Sequence, residues 1–174
     1  MSDTQKTISP VDGRVYIERP HATDEQVQQA LDRARTAQAQ WKRVPLAERA
    51  KVVNRFIDAF VARKQKIAEE ITWQMGRPLG QSPGEVRGFE ERARYMVQIA
   101  PDALGDIDAG PKEGFRRFIR RDPLGVVLVL APWNYPYLTS VNAVVPAIMA
   151  GNAVVLKHSS QTPLCAERYA ECFR

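Results

Sequence analysis

Asn134 and Lys157 are the two side chains whose type and setting point most directly to chemistry. Asn134 lies in Pro132-Trp133-Asn134-Tyr135-Pro136, where two prolines restrict the backbone and fix the direction of the carboxamide between them. A fixed amide N–H can stabilise an oxyanion, and removing one such donor from an acyl-transfer site typically costs about 3 kcal/mol of transition-state stabilisation. Lys157 ends an apolar run, so its stem can lie on apolar surface while the ammonium reaches ribose hydroxyls or a phosphate. Spacing alone leaves each a plain alternative: a turn residue between prolines, and a solvated lysine after a strand.

Both residues need elements to bring them together. Gly125 to Ala131 is a continuous Val/Leu run and Ala153 to Leu156 a shorter one, the pattern of strands buried on both faces. Leu138 to Ala150 between them has helix length, carries Pro146 as a kink and is followed by the stop pair Gly151-Asn152. The three form a β-α-β unit. A crossover joining parallel strands is right-handed in nearly all cases and sets the polar residues after one strand beside those after the next. Asn134 and Lys157 are therefore expected in one crevice.

The segment 123–163 resembles the NAD(P)-dependent aldehyde dehydrogenase superfamily. That family carries a P-x-G-V strand, a P-W-N-[FY]-P loop, a P-A-L-A-A-G-N-like turn and an L-K-P-S-x-x-T-P strand end. Here Pro123, Gly125, Pro132, Trp133, Asn134, Tyr135, Pro136, Pro146, Ala147, Gly151, Asn152, Leu156, Lys157, Ser159, Thr162 and Pro163 follow in that order. Upstream, Ser9-Pro10-Val11-Asp12-Gly13 is similar to the family's N-P-x-x-G hairpin turn, and Trp41 to Arg49 to its W-x-x-x-P-x-x-x-R helix junction.

The resemblance implies an α/β fold: helices followed by the start of a Rossmann-like parallel sheet, incomplete at the C-terminus. It divides the chain into a hairpin and helices over 1–110, a strand of an oligomerisation sheet over 111–122, and the first β-α-β of a dinucleotide-binding domain over 123–174. It implies oxidation of a small-molecule aldehyde to an acid with NADP or NAD, in a homo-oligomeric parent enzyme. Asn134 then helps hold the oxyanion. Pro132, Trp133, Lys157, His158, Ser159 and Ser160 become the cofactor-binding set, with Lys157 on the adenosine ribose. Ser160 stands where NAD-preferring members have a Glu, so NADP or dual use is expected. His158 replaces the family's usual Pro and could add a donor near a phosphate or be a surface substitution.

The family's cysteine nucleophile, glutamate base and glycine-rich loop are not found in these 174 residues, so an inactive amino-terminal fragment is expected. A truncated dinucleotide-binding pseudoenzyme is the alternative. Cys165 and Cys172 read as small buried hydrophobes, Glu69-Glu70 and Glu90-Glu91 as solvated helix positions. No metal site is expected.

The rest reads as support. Thr7 to Glu18 alternates around Asp12-Gly13, a hairpin signal. Thr23 and Gln26 form a capping box opening a helix to about Trp41. A second helix carries Val52, Val53, Phe56, Ile57, Phe60 and Val61 and runs through Ile67 and Ile71 to the stop at Gly76-Arg77-Pro78. Val86, Phe89, Ala93, Met96 and Val97 mark a third. Lys112 to Arg121 interleaves basic and aromatic residues, and the net charge of +5 allows a nucleic-acid-binding module as a rival class. The resemblance makes it a subunit strand instead, so neither nucleic acid nor a membrane is expected as partner. With no signal peptide in view and two cysteines, the compartment expected is the cytoplasm.

Overall fold

The computed structural model describes residues 4–174. The amino-terminal hairpin forms as its alternation predicts: β1 (Thr4–Ile8) pairs antiparallel with β2 (Val15–Pro20). Thr23 caps α1 (Asp24–Trp41) through the full capping box with Gln26. The second apolar stripe is divided between α2 (Leu46–Val61) and α3 (Lys64–Met75) rather than forming one helix. At the break the Ala62 N–H is shared between the Asp58 and Phe60 carbonyls, and the Arg63 guanidinium donates to the Ala59 carbonyl. These bonds satisfy the end of α2 without a Gly or Pro, the residues that mark most helix stops in sequence.

α4 (Pro83–Leu104) follows, then a small antiparallel pair, β3 (Ile107–Asp108) with β4 (Phe118–Ile119). The β-α-β unit closes the chain's order: β5 (Val126–Ala131), α5 (Pro136–Met149) and β6 (Ala153–His158), with α6 (Leu164–Cys172) after it. β5 and β6 are parallel, in register from Val126 opposite Ala153 to Ala131 opposite His158. Asn152 locks the unit: its Oδ1 accepts from the Gly125 N–H and its Nδ2 donates to the Ala147 carbonyl.

One core serves the helices and one sheet face. Val53, Phe56, Ile57, Phe60, Ile67, Ile71, Phe89, Val129, Tyr137, Val141 and Tyr169 belong to it, and Phe60 packs at tilted and edge-on angles among Phe89, Tyr137 and Tyr169. Fully burying such side chains stabilises by roughly 1.5–3 kcal/mol each. On β5, Val129 is in the core, while Leu128 and Leu130 point to the other face and within this segment are 62% and 69% exposed.

Glu70 corrects a second expectation. It is buried, with both carboxylate oxygens accepting from Arg168 at 2.8 and 2.9 Å. Its position three after Ile67 and one before Ile71 puts it on the inward stripe. The Glu70 hydrogen bonds hold the Arg168 guanidinium above its ordinary pKa. Glu69 and Glu91 are exposed, as expected. Among the described residues no helix is long and apolar enough to cross a membrane.

Candidate active site

The parallel register brings the loops after β5 and β6 side by side. Ser159 N–H donates to the Ala131 carbonyl across the strand ends at 3.0 Å, so residues 132–136 and 159–161 leave the sheet as neighbours. Trp133, Ser159 and Ser160 line one cavity of about 560 Å³ with Ile8, Ser9, Pro10, Met75 and Gln161. The hairpin tip forms one wall of it. Lys157 is exposed, one residue before the end of β6.

Asn134 is exposed at the mouth of the β5 loop, and its side chain is oriented by its own turn. Oδ1 accepts from the Tyr135 N–H at 3.0 Å, which leaves the amide NH₂ as the end able to donate outward. The loop is also held from below. Arg77 Nη2 donates to the Asn134 carbonyl at 2.7 Å, and the guanidinium lies over the Tyr135 ring at 4.6 Å. Arg77 is ion-paired with Glu85, whose Oε1 accepts from the Tyr137 and Leu138 N–H groups at 3.0 and 2.9 Å. Those N–H groups belong to the first turn of α5, where no side chain of the helix itself caps them.

The loop after β6 is fastened by other elements. The Ser160 carbonyl accepts from Gln5 Nε2 and Thr7 Oγ1 at 2.5 and 2.8 Å. Gln161 Nε2 donates to the Ile8 and Gln74 carbonyls, and Gln74 Oε1 accepts from the Leu164 N–H. Hairpin, α3 and α6 all meet at this turn. Sequence reasoning marks none of Arg77, Glu85, Gln74 or Thr7 as a site residue, Arg77 being read only as part of a helix stop and Thr7 only as part of the hairpin. Glu85 and Gln74 did carry a signal: Glu85 falls four before Phe89, and Gln74 three after Ile71, so each is a polar residue on an apolar stripe.

His158 departs from its expected place. It is only 6% exposed, with its ring near those of Tyr137 and Tyr169 and both ring nitrogens buried without a partner. Alternation along β6 explains this, since Lys157 points outward and the next residue must point in. Desolvation, with a smaller effect of the Lys157 charge, lowers its pKa from 6.5 to about 4. An imidazole so placed is neutral packing and offers no atom to a phosphate. Cys165 and Cys172 are free and buried. Burial pushes the Cys165 thiol well up, which suits packing and not nucleophilic attack.

The family model described as "Aldehyde dehydrogenase family" matches residues 1–174. The chain belongs to the aldehyde dehydrogenase family. It is 33% identical over 171 residues to the 3,6-anhydro-alpha-L-galactose dehydrogenase of Streptomyces coelicolor, covering 98% of this chain and 35% of that protein. It is 34% identical over 162 residues to succinate-semialdehyde dehydrogenase [NADP(+)] 1 of Mycobacterium tuberculosis, covering 92% and 35%. Among solved structures, PnpE in complex with nicotinamide adenine dinucleotide superposes with a TM-score of 0.90 at 29% identity, covering 98% of this chain and 35% of that one. The chain spans about a third of the length of the curated relatives it matches.

Proposed function

We propose that this segment of an aldehyde dehydrogenase supplies one oxyanion donor and the adenosine side of the dinucleotide crevice, in a protein that oxidises a small aldehyde to the acid. The observation that carries the reading is the parallel register of β5 and β6, which delivers the Trp133–Asn134 loop and the Lys157–Ser160 turn to one edge of the sheet. Trp133, Ser159 and Ser160 on one cavity fit a nucleotide better than an apolar ligand.

NADP or NAD, when bound, supplies the hydride acceptor. Lys157 and Ser159 then face the ribose, Pro132 and Trp133 form the apolar wall, and the Asn134 NH₂ donates to the aldehyde oxygen as a thiolate attack makes it negative. That thiolate is neither Cys165 nor Cys172, which are buried. Ser160 places no carboxylate against a ribose 2′-phosphate, so NADP is accepted. A cytoplasmic homo-oligomer accompanies this reading, the open pair β3–β4 being the surface that another subunit would cover.

The test is kinetic, in the full-length protein. Asn134→Ala should lower kcat about a hundred- to a thousandfold with little change in dinucleotide KM, and Lys157→Ala should chiefly raise that KM. Equal effects of both substitutions on both constants would refute the assignment.

A further inference from the structure

We infer that Arg77 and Glu85 are positioning residues for Asn134, a clamp that sets the direction of its carboxamide from beneath the loop; this rests on the role proposed for Asn134 above. Residues 133–135 of the loop are exposed between a half-buried Pro132 and a buried Pro136, and the prolines restrict backbone angles without fixing the direction of the Asn134 side chain. The anchor is a buried ion pair. Glu85 is 2% exposed and the Arg77 side chain 12% exposed.

Each group of the pair spends its hydrogen bonds on the loop or on the helix that follows it. One Glu85 oxygen accepts two N–H groups of α5, while the other faces Arg77 Nη1. Arg77 Nη2 reaches the Asn134 carbonyl, and its plane covers the Tyr135 ring. The two flanks of Asn134, its own carbonyl and residues 135–138, are thus referred to a single rigid unit. Arginine suits this task because its planar fork can serve Glu85 and Asn134 together, which an ammonium cannot do in one plane.

The surrounding backbone delivers the pair to that spot. Gly76 ends α3 in the left-handed region, φ 79°, turning the chain so that Arg77 lies under the loop. A Cβ at Gly76 would come within 2.9 Å of Pro10, so the turn is also packed against the hairpin tip. On the other side, a Cβ at Gly88 would lie 2.6 Å from Leu138 Cδ1. That close approach of α4 to α5 brings Glu85 within reach of the first α5 turn. Buried ion pairs contribute little net stability compared with apolar substitutes. A pair whose partners are the site loop has a further reason to be there.

The test measures order first and turnover second. In full-length protein labelled with ¹³C and ¹⁵N, Arg77→Met keeps an apolar stem and removes the fork. The order parameters of the Asn134 and Tyr135 backbone amides should fall from the rigid range near 0.85 to below about 0.6, while core methyl signals of Val53 and Ile57 stay in place. Millimolar guanidinium should restore them, and Arg77→Lys should restore them only in part. In the full-length protein, Arg77→Met should lower kcat by up to about a hundredfold with the dinucleotide KM within twofold. Unchanged order at Asn134, or order lost equally throughout the chain, overturns the clamp. Order lost with kcat unchanged keeps the clamp and overturns the role of Asn134 in turnover.

Discussion

The two loops at the carboxyl ends of β5 and β6 and the β3–β4 arm all lie at the surface, yet they are held in opposite ways. The strand-end loops are tied to distant elements, one by Glu85 and Arg77, the other by Thr7 and by the Gln74 carbonyl, which accepts from Gln161 of the loop itself. The arm is tied to itself. Arg117 donates to the Ala109, Gly110 and Pro111 carbonyls, Arg120 pairs with Asp106, and Phe115 and Ile119 are exposed. Surface loops that carry chemistry need a scaffold to fix them, whereas a surface awaiting a partner needs only to keep its own shape.

The contrast can be broken most sharply at the buried end. Arg168→Met leaves the Glu70 carboxylate buried without its partner and should lower stability by about 3–5 kcal/mol, read as the urea midpoint at unchanged m-value; a loss below about 1 kcal/mol would mean that Glu70 is solvated. His158 sets the next effect. Its burial lowers the pKa from 6.5 to about 4, so between these values the unfolded chain takes up the proton and the folded one does not. Stability should be full above about pH 6.5 and fall as pH drops toward 4, by up to about 3 kcal/mol. His158→Leu should flatten that part of the curve, and an unchanged slope would place the titration elsewhere. At the other extreme, Phe115→Ala in the arm, measured at protein concentrations low enough to leave the arm uncovered, should shift stability by no more than about 0.5 kcal/mol. A larger loss, growing with protein concentration, would show the arm covered by a second copy.

The β-α-β unit was legible because continuous Val/Leu runs separated by one helix length have few other solutions, and the adjacency of the loops after β5 and β6 follows from it; Asn134 and Lys157 themselves do not line the cavity that Trp133 shares with Ser159 and Ser160. Residue-level burial was harder to read. Glu70, Gln74 and Glu85 look like surface residues by type, and only their position on the stripes of Ile67, Ile71 and Phe89 marks them as inward. His158 entered the crevice set through the resemblance, standing where the family has Pro, although strand alternation turns it away from Lys157 and into the interior. The division of α2 from α3 carries no Gly or Pro, so no local sequence signal announces it. The clamp depends on residues 77, 85 and 134, and contacts that far apart in sequence follow from packing rather than spacing.

The account stands on the convergence of both strand-end loops on one nucleotide. Titrating NADP into ¹⁵N-labelled protein, and following the Trp133 indole together with the Ser159 and Ser160 amides, measures it directly. All three signals should move along one isotherm with a single Kd. Movement of the Trp133 signal alone, or two isotherms with different Kd values, would contradict a shared crevice.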